Sequence, residues 1–117
     1  MRPVDNMKPI ICLDFDGVFN NYKGFDGSNI GAPREGIHEF LEKLSEDYNI
    51  IILSVRRYPD IIRWLKEHDL KRYVHDVTCI KPPALVYLDD RGLRFDGDFD
   101  EAYKEIQNFK TYWEKND

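Results

Sequence analysis

At 117 residues, 42% hydrophobic and 14% aromatic, the chain fits one compact domain with one core. A net charge of −5 and a pI near 5.2 exclude a surface that is basic throughout, so a general polyanion binder is not expected, and only a local basic patch is compatible with this balance. No stretch approaches the about 20 consecutive apolar residues of a membrane span, and Met1 to Lys8 holds no apolar signal-peptide core. Cys12 and Cys79 both fall in apolar runs and are expected as buried, unpaired thiols. The expectation is a soluble, cytoplasmic protein with no membrane partner, a single domain over residues 1–117 that no repeat or linker divides.

The first element is the run Ile10-Ile11-Cys12-Leu13, which stops at Asp14-Phe15-Asp16-Gly17. A continuous apolar run of this length reads as a strand buried on both faces. Val18 to Ala32, with Gly24, Gly27, Gly31 and several Asn and Asp, reads as an irregular excursion or small hairpin beside the strand end. Pro33 suits the first turn of a helix, and Ile37, Phe40, Leu41, Leu44 and Tyr48 recur at helical spacing through Glu35 to Asp47. Asn49 to Leu53 repeats the first strand's pattern and ends at Ser54, so a right-handed βαβ unit is the economical arrangement.

Pro59 opens a second helix carrying Ile61, Ile62, Trp64 and Leu65, and a short strand is expected around Val74 to Ile80. After Lys81-Pro82-Pro83, the run Ala84 to Leu88 forms another strand ending in Asp89-Asp90. Asp98 and Glu101 make a capping-box-like start to a last helix whose apolar face is Phe99, Ala102, Tyr103, Ile106, Phe109 and Trp113. The fold class is α/β: a three-layer, Rossmann-like, mainly parallel sheet flanked by helices.

In such sheets ligands bind beyond the carboxyl ends of the strands, which is where Asp14, Asp16, Ser54, Asp89 and Asp90 are expected to converge. Clustered carboxylates repel one another unless a cation neutralises them, and an all-oxygen set without His or Cys suits Mg²⁺. His38, His68 and His75 lie away from the strand ends and read as structural.

Asp14-Phe15-Asp16-Gly17-Val18 at the end of the first strand resembles the first motif of the haloacid dehalogenase (HAD) superfamily, DxDGx. Ser54 resembles its second motif, Lys81 its third, and the strand ending in Asp89-Asp90 its fourth. The matches run in the family's order from about Ile10 to Asp90. The resemblance implies that Asp14 attacks phosphorus and forms an aspartyl-phosphate, and that Asp16 protonates the leaving oxygen and then activates water. It implies a Mg²⁺ held by Asp14, the backbone carbonyl of Asp16 and Asp89, with Asp90 a direct or water-mediated ligand. Ser54 and Lys81 would bind the phosphoryl group. An acid at Asp16 also favours phosphoryl transfer over carbon–halogen cleavage, since halide leaves without a proton.

The pattern has two departures. The intervals Asp14 to Ser54 and Ser54 to Lys81 leave no room for a cap domain, so the excursion with Phe19, Tyr22 and Phe25, a second subunit or a large substrate would have to cover the site. The interval from Lys81 to Asp89 is short, and Arg56 or Arg91 is the alternative source of phosphate-neutralising charge. The expected activity is hydrolysis of a phosphomonoester: a nucleotide or other phosphorylated metabolite, or an accessible phosphate on a nucleic-acid end or phosphoprotein. The competing readings are a catalytically silent metal- and phosphate-binding module and a phosphotransferase.

Overall fold

A computed structural model describes residues 2–21, 30–80, 84, 86–88, 95 and 97–115, the side chains of 86 and 109–115 excepted. Four strands, β1 (Ile10–Asp14), β2 (Asn49–Leu53), β3 (Asp76–Thr78) and β4 (Val86–Leu88), form one all-parallel sheet in the order β3-β2-β1-β4. Helices α1 (Ile37–Asp47), α2 (Tyr58–Glu67) and α3 (Phe99–Lys115) follow β1, β2 and β4. The protein therefore has the α/β, Rossmann-like parallel sheet expected from its strand and helix order. β1 and β2 are the inner strands, which is why both are apolar without alternation.

Side chains alternate across a strand, and the registers Ile11↔Ile50, Leu13↔Ile52, Ile52↔Val77 and Leu13↔Leu88 gather these residues on one face. They belong to one continuous core with Phe40, Leu41 and Leu44 of α1, Ile61, Trp64 and Leu65 of α2, and Ala102 and Ile106 of α3. Cys12 and Ile51, on the alternate face, are buried as well. Among the described residues no helix is long and apolar enough to cross a membrane.

Three details differ from the sequence reading. Pro33 does not open α1. It pairs with Asn20 in an antiparallel bridge, and the helix starts after Gly36, whose φ of 88° lies in the left-handed region and whose missing Cβ leaves room for the Phe99 ring, 3.2 Å from where it would sit. The strand expected over Val74 to Ile80 is confined to β3, preceded by a 3-10 turn at Lys71–Tyr73. Cys79, past the end of this short edge strand, is exposed rather than buried; neither cysteine is in a disulfide, and Cys12 is buried as expected. The capping of α3 is as expected: Asp98 Oδ1 accepts the Glu101 N–H at 3.1 Å. Of α3's expected apolar face, Phe109 and Trp113 have side chains outside the described residues.

The edge of the sheet opposite the strand carboxyl ends is closed by polar side chains. Asn49, 1% exposed, accepts the Asp5 N–H through Oδ1 at 3.0 Å and donates Nδ2 to the carbonyls of Asp5 at 2.7 Å and Lys8 at 3.0 Å. This fastens the N-terminal segment to β2. Nearby, buried His75 accepts the Ile50 N–H at Nδ1, 2.8 Å away. Burial lowers the imidazole's pKa below its ordinary value, with Arg2 and Lys8 adding to the effect. Protonation of Nδ1 would also remove the acceptor for Ile50.

Two outcomes are expected. Asn49→Ala takes the side-chain partner from the Asp5 N–H and the Lys8 carbonyl, while the Asp5 carbonyl keeps the Lys8 N–H, and should lower the unfolding free energy by roughly 1–3 kcal/mol in urea titrations. For His75, the unfolded chain takes up the proton first. Its contribution is therefore intact above the unfolded pKa, about 6.5, and is lost as pH falls below it toward the lower folded value. Asn at 75 keeps an acceptor without a titrating ring, so denaturation of His75→Asn at a series of pH values should show less destabilisation between neutral and mildly acidic solution than the parent.

Candidate active site

Asp14 is the last residue of β1, opposite Leu53 in the parallel register with β2. Beyond it the chain makes a single helical turn, in which Phe19 N–H donates to the Phe15 carbonyl at 2.9 Å. Phe15 and Phe19 are fully buried with ring centroids 5.7 Å apart, and Phe15 meets Trp64 of α2 edge-on at 5.2 Å. The aromatic pair anchors the turn in the core, leaving Asp14 and Asp16 half-buried at the rim of the sheet. Gly17 has φ 88°, and nothing lies within 4 Å of where a Cβ would sit, so its requirement is conformational rather than one of space.

The excursion that follows closes at its base as a hairpin: Asn21 N–H donates to Ala32 and Arg34 N–H to Phe19, each at 2.9 Å, on either side of the Asn20–Pro33 bridge. Phe19 packs in the core and does not cover the site; Tyr22 and Phe25 lie outside the described residues.

Asp16 is joined by the neighbouring strand end. Arg56, two residues past Ser54, shares its Nε–H between both carboxylate oxygens of Asp16, at 3.0 Å to Oδ1 and 2.9 Å to Oδ2. The side chains are only 16% and 23% exposed, so the pair is partly shielded from solvent. Ser54 holds Arg56 in reach. Its N–H donates to Thr78 at the end of β3, at 3.0 Å, and its Oγ accepts the Arg56 N–H at 3.1 Å, leaving the hydroxyl hydrogen to donate elsewhere. Arg57 is exposed.

Thus Asp16, Arg56 and Ser54 are joined at the carboxyl ends of β1 and β2, and Asp14 closes β1 at the same edge of the sheet. Lys81, Asp89, Asp90 and Arg91 lie outside the described residues. Among the described residues no group of three or more His, Cys, Asp or Glu is placed to hold a metal ion. Of the expected ligands, Asp14 and Asp16 are described, and their donors are all oxygen, the chemistry Mg²⁺ requires. With the Asp16 carboxylate engaged by Arg56, its backbone carbonyl fits a metal role better than its side chain. None of the three histidines contacts Asp14, Asp16, Ser54 or Arg56 in the hydrogen bonds and ring contacts described: His38 Nε2 lies 3.0 Å from the His68 carbonyl, His68 packs on Trp64 at 4.6 Å, and His75 meets the backbone of β2.

One residue at the site was not singled out from the sequence. Asn20, fully buried, donates Nδ2 to Asp16 Oδ1 at 3.2 Å and accepts the Gly17 N–H at Oδ1, also at 3.2 Å. Its signal was the four-residue spacing from Asp16 across Gly17, which brings the two side chains together once the chain turns back through the left-handed glycine.

Comparison of the chain with known protein families, curated proteins and solved structures returned no match.

The Asp16–Arg56 pair is expected to matter little for folding, because a partly exposed ion pair gains little net energy. Arg56→Gln should change the unfolding free energy by no more than about 1 kcal/mol, as measured by chemical denaturation.

Proposed function

We propose that the chain is a Mg²⁺-dependent phosphomonoester hydrolase of the HAD type, working in the cytoplasm on a nucleotide or other phosphorylated metabolite, or on an accessible phosphate of a larger molecule. The observation that carries the proposal is the meeting of Asp16 with Arg56 and Ser54 two residues beyond Asp14, at the carboxyl ends of the inner strands. Acids for nucleophilic and proton-transfer work thereby stand beside donors suited to a phosphoryl group.

In this reading the Asp14 carboxylate attacks phosphorus, forming an acyl-phosphate bond as the bond from phosphorus to the leaving oxygen breaks. Asp16 gives that oxygen a proton. Asp16, now ionised, takes a proton from water as the water attacks the aspartyl-phosphate, releasing phosphate and restoring Asp14. Arg56 keeps Asp16 through Nε, and its remaining guanidinium donors bind phosphoryl oxygens together with the Ser54 hydroxyl. Lys81 would add a further positive charge. Asp14, the Asp16 carbonyl, Asp89 and Asp90 would hold Mg²⁺, which when bound offsets the repulsion between carboxylate and phosphate. An acidic chain of net charge −5 favours small phosphorylated substrates over nucleic acid.

Hydrolysis of 4-nitrophenyl phosphate, nucleotides, sugar phosphates and end-phosphorylated oligonucleotides, with and without Mg²⁺, tests the proposal. Asp14→Asn should lower kcat by roughly a thousandfold or more with an unchanged thermal midpoint, since a carboxamide is a poor nucleophile, and a chelator should abolish turnover in the parent. Phosphate binding without turnover of any phosphomonoester would support the silent module instead.

A further inference from the structure

Asn20 is a fully buried polar side chain whose hydrogen bonds both go to the segment that carries the candidate acid. Its Nδ2 donates to Asp16 Oδ1 at 3.2 Å, and its Oδ1 accepts the Gly17 N–H at 3.2 Å. A buried carboxamide must satisfy both ends, so this pairing fixes the ring-like unit Asp16-Gly17-Asn20 in one arrangement. The anchor is rigid. Phe19 beside it is fully buried, and Asn20 itself is bridged to Pro33 between two backbone hydrogen bonds of 2.9 Å. Asp16 Oδ1 thus accepts from Asn20 and from Arg56 at 3.0 Å, whereas among the described residues Oδ2 meets Arg56 alone, at 2.9 Å. The two oxygens are not equivalent.

We infer that Asn20 is a positioning residue for proton transfer: it holds Oδ1 of Asp16 and so presents Oδ2 to the leaving oxygen of a phosphomonoester. The inference rests on the phosphohydrolase reading above and adds to it the atom that moves the proton and the residue that aims it. As the Asp14 oxygen–phosphorus bond forms, the bond from phosphorus to the leaving oxygen breaks, and the proton on Asp16 Oδ2 passes to that oxygen. For this the Arg56 Nε–H, shared in the structure with Oδ2 at 2.9 Å, shifts onto Oδ1, which has lone pairs for both Arg56 and Asn20.

The dependence on leaving group separates this role from a structural one. A 4-nitrophenolate departs without a proton, whereas an alkoxide needs one, and kcat/KM reports the steps up to its departure. Asn20→Ala is expected to lower kcat/KM for an alkyl phosphate by about tens-fold, a part of the roughly 10²–10⁴-fold that general acid catalysis contributes, and that for 4-nitrophenyl phosphate by less than about threefold. Asn20→Ser, whose hydroxyl can donate to Asp16, should recover part of the alkyl activity. Equal losses on both substrates would overturn the positioning role while leaving the hydrolase reading intact. Absence of turnover of either ester by the parent protein would remove the hydrolase reading and this inference with it.

Because a buried substitution can prevent folding, a second measurement uses the parent chain without metal. The side-chain ¹⁵N amide signals of Asn20 should shift in Asp16→Ala, in which the acceptor is gone. Unchanged signals would show that Asn20 does not grip Asp16 in solution, and the inference would fail.

Discussion

The structure depends on β1 being hydrogen-bonded on both sides. An inner strand of a parallel sheet can carry no charge along its length without burying it, so Ile11, Cys12 and Leu13 are buried, and the first carboxylate falls at Asp14, where the strand reaches the rim. β2 obeys the same rule, and its first polar side chain past the strand is Ser54. Since the two strands are parallel and in register from Ile10↔Asn49 to Asp14↔Leu53, their polar ends arrive at the same edge. That Asp14, Asp16, Ser54 and Arg56 all fall at one edge of the sheet is thus a consequence of burial and parallel pairing, before any chemistry is invoked.

Charge balance accounts for the next level. Two acids separated by one residue at a partly buried rim repel each other, and among the described residues Arg56 of the adjacent strand end pairs with one of them. Arg56 reaches Asp16 because Ser54 ties the backbone there twice, to Thr78 and to Arg56 itself. A lysine would supply the charge without the planar fork that lets one nitrogen serve the carboxylate while others bind elsewhere. In the proposed reaction that geometry would let a single side chain connect proton transfer with phosphate binding.

Much of the fold was legible because burial on both faces leaves an unmistakable pattern. Ile10 to Leu13 and Asn49 to Leu53 have no polar interruption, and α1, α2 and the capped start of α3 show helical spacing or a capping pair. Signals without a period were less secure. Pro33 suits a helix start, but it suits equally the Asn20 bridge, whose flanking hydrogen bonds are donated by Asn21 and Arg34 and need no N–H from residue 33. Cys79 sits in an apolar run, yet β3 is a three-residue edge strand and the run outlasts it. Asp14, Asp16, Ser54 and Arg56 were legible as strand-end residues. Asn20 was not, because a lone asparagine in a glycine-containing excursion reads as turn chemistry until the helical turn at Phe15 to Phe19 is known.

That turn explains why the site has fixed and adaptable parts. Continuing β1 as a strand would place Asp14 and Asp16 on one face, about 7 Å apart and without a scaffold for either. Turning instead buries Phe15 and Phe19 together, and the left-handed Gly17 lets the chain bend while Asn20 folds back on Asp16. The acid is therefore set by core packing on one side, where Asn20 is fully buried, and by a partly exposed arginine on the other. Rigidity on the Asn20 side limits where the carboxylate can go. A long side chain on the Arg56 side can move without moving the turn, so in the proposed reaction orientation and binding would fall to different residues around one carboxylate.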